Sequence, residues 1–264
     1  MPPRILIKIG GLAFNGEGGF KDLAQAIRSI QRAEIIIVHG GGAEISQALK
    51  DAHRESVFID GIRITQAEDI KIVENVLSET INRRISGWLS KNGVPCSSIS
   101  GKTDRLFMVE PLRRHGRDFG FVGKIKQVNP NVVLDALKTG RVPVVSPISA
   151  DESGESYNVN ADSAAAALSA GAQCTDLVFI TDVPGVLVKE RICPSLTVQK
   201  AKALIADSTI KGGMVAKMES AFEALNNNVP RVHIIQWQGP STLESIITGN
   251  FTTGTTIHRK NLEP

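Results

Sequence analysis

The chain has 264 residues, 42% of them hydrophobic, with 30 basic and 27 acidic side chains and a formal net charge of +3. That is the composition of an ordinary globular protein, long enough to bury a core without disulfide or metal staples. A charge excess this mild, with 5% aromatic residues, offers little for neutralising a nucleic-acid backbone or stacking on its bases.

The start, Met1-Pro2-Pro3-Arg4, leads directly into an apolar run, so no signal or transit peptide is expected. No apolar stretch is long enough to span a bilayer, and a cytoplasmic location follows as the expectation. Residues 5–9 read as a strand, and Phe20, Leu23, Ala24, Ile27 and Ile30 then follow helical spacing. Ile35-Ile36-Ile37-Val38 is continuously apolar, as in a strand buried on both faces. Ile45, Ala48, Leu49 and Ala52 make the next helical stripe. A long helix is expected over residues 66–91, ending at Asn92-Gly93. Residues 105–110 and 119–128 read as strands around a polar turn, a hairpin or small antiparallel excursion. Its basic tip, Arg113-Arg114-His115-Gly116-Arg117, reads as a solvated face.

The strand–helix rhythm then resumes. Helices are expected over 130–139, 161–170, 197–206 and 214–226, with strands over 142–146, 177–180 and 232–235. Such alternation predicts an α/β fold, with a mainly parallel sheet covered by helices on both faces. A boundary near residue 175 divides it into lobes 1–175 and 176–264 that share one continuous sheet. Cys96, Cys174 and Cys193 are odd in number, lack metal-ligand spacing and read as reduced thiols.

Lys8 ends the first strand beside Gly10-Gly11, a setting poorly explained as a surface charge. Lys217 follows Gly212-Gly213-Met214-Val215-Ala216 at the opening of a helical pattern. Two such cations can hold a nucleotide's phosphates and neutralise charge on a transferring phosphoryl group. Gly10-Gly11 and His39-Gly40-Gly41-Gly42 can bring backbone N–H groups to phosphate oxygens, or can simply make tight strand-to-helix turns. Neither is a dinucleotide fingerprint or a Walker A loop. Arg63 suits a substrate carboxylate or a surface ion pair. In Asn158-Val159-Asn160-Ala161-Asp162, one residue can cap the helix that follows. Three alternating polar side chains exceed that need, leaving Asn158 for a polar substrate and Asp162 to orient the lysines. Thr181-Asp182-Val183-Pro184-Gly185 follows an apolar strand, where ligands sit in open α/β sheets. Thr209-Ile210-Lys211 forms a second candidate ligand loop. His39 reads as a packed or turn-bonded histidine, and no Ser/His/Asp or Cys/His constellation is present.

In this order, Lys8-Ile9-Gly10-Gly11, His39-Gly40-Gly41-Gly42, Gly61-Ile62-Arg63-Ile64-Thr65, Gly120-Phe121-Val122-Gly123, Asn158-Val159-Asn160-Ala161-Asp162, Thr181-Asp182-Val183-Pro184-Gly185 and Gly212-Gly213-Met214-Val215-Ala216-Lys217 resemble the amino acid kinase superfamily, and within it the acetylglutamate kinases. The resemblance spans nearly the whole chain. It implies a three-layer α/β/α sandwich and transfer of a phosphoryl group from ATP to N-acetyl-L-glutamate, the second step of arginine synthesis. It places Lys8 and Lys217 on the transferring group, with Asp162 organising them. Gly11, Gly41 and Gly42 would supply N–H donors near the phosphoryl group and substrate. Arg63 would clamp the α-carboxylate, and Asn158 would bind near the α-substituent. Gly10, Asp182, Gly185, Thr209, Ile210 and Lys211 would surround the nucleotide. Magnesium would ride on the nucleotide phosphates with few direct protein ligands.

The chain departs from the family pattern at Ala216, where proline is frequent, and at Thr103-Asp104. Arginine-inhibited members carry an extra helix before the first strand. Only Met1-Pro2-Pro3 stand there, so the resemblance implies an arginine-insensitive homodimer with residues 66–91 at its interface. Two alternatives stand beside this reading: a sister kinase for another acidic amino acid or a carrier-linked aminoadipate or glutamate, and a non-catalytic nucleotide sensor.

Overall fold

Arg4–Ile9 (β1) is the strand about which the sheet is laid out, and its last five residues are all buried. A parallel strand covered on both faces has this apolar character. The computed structural model describes residues 2–10, 16–30, 32–114, 116–251 and 253–259.

After β1 come α1 (Gly16–Ser29), β2 (Glu34–His39), α2 (Gly42–Asp51) and a small hairpin of β3 (Phe58–Ile59) and β4 (Ile62–Arg63). A long helix follows in three pieces: α3 (Ile70–Glu74), a π-helical stretch (Asn75–Ile81) and α4 (Asn82–Lys91). Next are β5 (Cys96–Ser100), the hairpin β6 (Phe107–Arg114) and β7 (Arg117–Val128), α5 (Asn131–Lys138), β8 (Val142–Ser146), β9 (Ile148–Ala150), β10 (Ser156–Asn158) and α6 (Ala161–Gly171). The remainder is β11 (Asp176–Thr181), the hairpin β12 (Leu187–Val188) and β13 (Arg191–Ile192), β14 (Ser195–Thr197), α7 (Val198–Ala206), α8 (Gly213–Asn226), β15 (Arg231–Gln236), α9 (Ser241–Thr248) and β16 (Thr255–His258).

The central sheet has eight strands in the order β14-β16-β15-β11-β1-β2-β8-β5. From β15 to β5 every pair is parallel. Only at β16, antiparallel to β15, does the direction reverse. β1 is hydrogen-bonded to β11 on one side and β2 on the other. The sheet therefore runs unbroken past residue 175.

Side chains alternate across a strand, and β1 shows it. Leu6 joins one apolar cluster with Phe179, Ala165 of α6 and Ala221 of α8. Ile5, Ile7 and Ile9 join the other, with Leu23 of α1, Leu49 of α2 and Leu89 of α4. The architecture is the expected three-layer α/β/α sandwich. This parity also decides where Lys8 goes. It shares Leu6's face, the one covered by α6 and α8.

The excursion between β5 and α6 is larger than a hairpin. β10, β7, β6 and β9 close into a small barrel. The long helix begins at Ile70 rather than at residue 66, because Thr65 is engaged elsewhere. Its N–H donates to Phe119 O at 3.3 Å, and its carbonyl accepts from Phe121 N–H at 2.7 Å. Gly120, between those partners, has φ +64°, and a Cβ there would lie 2.4 Å from Thr65 O. Left-handed backbone against an immovable carbonyl requires glycine.

Gly120→Ala is therefore expected to cost about 2 kcal/mol, read as a lowered urea midpoint at unchanged slope. An unaltered midpoint would contradict this account of the Thr65–β7 junction.

Candidate active site

Lys8 stands one residue from the C-terminal end of β1 and is 9% exposed. Across from it α6 begins. Its helix is nearly all small residues, with Ala164, Ala165 and Ala166 fully buried, so it lies close to the sheet. The polar run at its start divides its work among three side chains. Asn160 is the cap, its Oδ1 accepting from Asp162 N–H at 2.8 Å and Ser163 N–H at 3.2 Å. Asn158 Nδ2 donates to Thr65 Oγ1 at 3.2 Å. Asp162 is left for the lysines. Lys8 Nζ forms an ion pair with its Oδ1 at 2.7 Å, and Lys217 Nζ donates to its Oδ2 at 2.9 Å.

Lys217 reaches this point because of how α8 starts. Its cap, Gly212, has φ +61° and ψ −142° with no side-chain capping bond, a region open essentially to glycine alone. Lys217 Nζ also lies 4.9 Å from the centroid of the buried Phe179 ring, a cation–π contact that holds the ammonium over β11.

The electrostatics follow from burial. Burial pushes the Asp162 carboxyl up, but Lys8 and Lys217 outweigh it and hold it down at about 2. Burial pushes the Lys217 ammonium down, with Asp162 opposing. The three groups carry one net positive charge away from water, where an incoming phosphoryl group is strongly attracted.

A cavity of about 200 Å³ opens beside Lys8 and Asp162, lined also by Gly41, Gly42, Arg63 and Asn158. Gly41 caps α2 without a side-chain bond, so this helix N-terminus presents backbone donors and a favourable dipole to an anion. Arg63 is 6% exposed and braced on three sides. Its guanidinium donates to Gly42 O and Ser46 Oγ, both at 2.7 Å, and to Ser56 Oγ. It also lies 4.6 Å from the Phe58 ring centroid. No carboxylate among the described residues forms a salt bridge with it, so the surface ion-pair reading is set aside. Burial pushes its pKa down, with Asp69 opposing.

His39 is 1% exposed, and burial pushes its pKa down to about 4. Nδ1 lies 2.9 Å from Gly40 O and must be the protonated nitrogen, leaving Nε2 to accept from Asn82 Nδ2 at 3.2 Å. Nδ1 holds the glycine turn and Nε2 ties it to Asn82 at the start of α4, which suits a structural histidine.

The structure brings Lys8, Gly41, Gly42, Arg63, Asn158 and Asp162 around one cavity, with Lys217 joined through Asp162. Gly11 lies outside the described residues. Gly10 N–H donates to Ile180 O at 3.0 Å, which sets it beside the end of β11, where Asp182 follows. Asp182 O accepts from Gln236 Nε2 at 3.3 Å. Gly185 packs against Gly254 and Thr255 at the start of β16, on a different loop from residues 209–211. Thr209 N–H donates to Asp207 Oδ1 at 2.9 Å. Ile210 is 3% exposed in the core, so its side chain is not available to a base. Sequence reasoning missed Ile62, Val122 and Asn160 as cavity lining, and the serines that brace Arg63. Ile62, Val122 and Asn160 all stand inside motifs visible in the sequence, whereas Ser46 and Ser56 carry no local signal.

No group of three or more His, Cys, Asp or Glu side chains among the described residues is arranged to hold a metal ion. Asp162 has both oxygens engaged by lysines. These residues do not fit a resident magnesium site.

Asp162 titrates at about 2 when folded, against an ordinary 3.8. Its contribution to stability is therefore complete above the ordinary value and lost as pH falls toward 2. Asp162→Asn is expected to lose about 3 kcal/mol at neutral pH, because it leaves two buried ammonium groups without a counter-charge. The gap in urea midpoint between the two proteins should close as pH falls from about 4 to about 2. A gap independent of pH would contradict the assignment.

The sequence profile of the Amino acid kinase family matches residues 3–236. Acetylglutamate kinase of Geobacillus stearothermophilus is 35% identical over 261 residues, covering 98% of both chains. Acetylglutamate kinase of Campylobacter curvus is 36% identical over 90% of this chain and 85% of its own. Among solved structures, smu.665 from Streptococcus mutans UA159 superposes with a TM-score of 0.81 at 26% identity, covering 97% of this chain and 99% of that one. Carbamate kinase from Giardia, at 14% identity and a TM-score of 0.68, shares the fold. Joined to the sandwich and its lysine–aspartate–lysine centre, these matches show that the chain belongs to the amino acid kinase family.

Proposed function

We infer that the protein is a kinase that transfers the γ-phosphoryl group of ATP to the side-chain carboxylate of N-acetyl-L-glutamate, giving N-acetyl-L-glutamyl 5-phosphate in the arginine biosynthetic route. The observation that carries this is Asp162 held between Lys8 and Lys217 at the mouth of a cavity that also contains Arg63. The near-full-length relatives named acetylglutamate kinase support the choice of acceptor.

The chemistry suits the groups present. The nucleophile is a carboxylate, ionised at neutral pH, so no general base is needed. One of its oxygens forms a bond to the γ-phosphorus while the bond to the bridging oxygen breaks, and that electron pair leaves on ADP. No proton moves. In a loose transition state the catalyst must align the two oxygens and neutralise charge on the phosphoryl group. Lys8 and Lys217 do the neutralising. Asp162, with a conjugate acid near 2, is too weak a base to compete and serves to place them. Donors at Gly11, Gly41 and Gly42 meet the reacting oxygens, Arg63 takes the α-carboxylate, and Asn158 stands near the acylated nitrogen. Gly10, Asp182 and Gly185, with residues 209–211, border the nucleotide, which brings magnesium on its phosphates.

The same reading includes a cytoplasmic homodimer joined along the long helix. No helix among the described residues is long and apolar enough to cross a membrane. The outer face of the long helix exposes Lys71, Asn75, Glu79, Arg83 and Gly87, a polar face with a small residue that permits close approach of a copy. Light scattering should give twice the mass of the chain, and a monomer at micromolar concentration would remove this part of the reading.

Lys8→Ala and Lys217→Ala are expected to lower kcat by about 10²–10³-fold with little change in KM. Arg63→Ala should raise KM for the amino-acid substrate by about 10–100-fold, the worth of a hydrogen bond to a charged group. A coupled assay of ADP release with N-acetyl-L-glutamate measures both. Near-normal turnover in Lys217→Ala would defeat the assigned roles.

A further inference from the structure

Beside the substrate cavity lies a second one of about 260 Å³, between the β6–β7 hairpin and α8. The two cavities share three lining residues, Ile62, Val122 and Asn160. Those side chains are the partition between them. Two of the three are fixed. Val122 is 2% exposed in the small barrel, and Asn160 is engaged as the α6 cap. Ile62 is different. It is half-buried on a hairpin whose strands are two residues each.

The orientation of the substrate, taken from the function proposed above, sets what meets this partition. The reacting carboxylate must face Lys8, and the α-carboxylate must face Arg63. Of the apolar residues lining the first cavity, Ile62 and Val122 are the two that also line the second, and the N-acyl chain is the part of the substrate that ends in an uncharged methyl group. Seated against those two residues, its terminal carbon points at the partition. Beyond it the second cavity continues with apolar surface from Leu112, Ile125 and Ala216. The charged groups at its rim do not favour another anion. Arg114 is paired with Glu219 at 3.2 Å, and Lys124 with Glu110 at 3.7 Å.

We propose that the two cavities form one acyl-binding channel gated by Ile62, so that the enzyme phosphorylates N-acyl-L-glutamates whose uncharged aliphatic acyl chain is longer than acetyl. A closed apolar pocket rejects each added methylene by ~10–200-fold. A channel does not.

The test compares N-acetyl- and N-butyryl-L-glutamate as acceptors for the 264-residue enzyme, by ADP release and by trapping the acyl phosphate with hydroxylamine. For the wild type, kcat/KM for the butyryl compound is expected within about tenfold of that for the acetyl compound. Leu112→Trp, which fills the second cavity from a half-exposed position, should lower the butyryl value by about tenfold or more and leave the acetyl value within about twofold. Ile62→Ala should raise the butyryl-to-acetyl ratio. Phosphorylation of the acetyl compound with none of the butyryl compound, in both the wild type and Ile62→Ala, overturns this proposal alone. Equal use of the butyryl compound by the wild type and a folded Leu112→Trp overturns it as well, since the chain would then lie elsewhere. No product from N-acetyl-L-glutamate overturns the reading on which the proposal rests. Should Leu112→Trp fail to fold, the wild-type and Ile62→Ala comparison decides.

Discussion

Everything in the site depends on one carboxylate placed between two ammonium groups. Two like charges about 4 Å apart repel by ~4 kcal/mol at an effective dielectric near 20, and burial adds to the penalty of keeping both charged. Asp162 removes most of that repulsion by pairing with each lysine through a different oxygen. What is left is one positive charge in excess, fixed in direction before any ligand arrives. Preorganisation of this kind is what electrostatic catalysis of phosphoryl transfer requires, since nothing need reorient as charge spreads over the phosphoryl oxygens.

The fold exists, at this point, to bring positions 8, 162 and 217 together. β1 lies at the middle of the sheet and carries Lys8 on the face shared with Leu6. α6 lies across that face, and its alanines let it approach closely enough for a short aspartate to reach the end of the strand. α8 packs beside α6 and delivers Lys217 from its second turn. The N-termini of α2, α6 and α8 all open toward the C-terminal end of the sheet, where ligands bind in open α/β folds. Their dipoles add to the lysines' attraction for phosphate.

What could be read from the sequence follows the physics of each element. β1, β2, β8 and β11 were legible because strands covered on both faces are runs of Ile, Val and Leu. α6 was legible because small residues after a capping motif have few other uses. β5, Cys-Ser-Ser-Ile-Ser, was not, since its polar residues look like a loop until β8 is known to pair with it. The two-residue strands of β3, β4, β12 and β13 are shorter than any periodicity. α9 and β16 also carried too weak a pattern to be read. The start of the long helix was misplaced because Thr65 is held by β7, a contact distant in sequence. In the site, Lys8, Asp162 and Lys217 were each visible in a local motif. The division of labour among Asn158, Asn160 and Asp162 was visible only as an excess of polar groups over what one cap needs. The bracing of Arg63 by Ser46, Ser56 and Gly42 O was invisible, because long-range hydrogen bonds leave no spacing in the chain.

The two basic groups in the site are held in different ways, and the difference matches what the proposed function asks of each. Arg63 is fixed by neutral acceptors and an aromatic face, so its full charge remains available to a substrate carboxylate. Lys8 and Lys217 are fixed by a charge, and part of their field is already used by Asp162. A group that binds a stable anion gains from undiminished charge, because every increment of attraction lowers KM. A group that serves a fleeting charge gains more from restraint. If the lysines stood unpaired, they would hold the ground-state phosphates as tightly as the transition state, and uniform binding does not accelerate the step. With Asp162 between them, their remaining attraction is weighted toward the moment when the phosphoryl oxygens lie between donor and acceptor. Under the proposed reaction, the carboxylate that steadies the lysines would also limit how strongly they bind the nucleotide at rest.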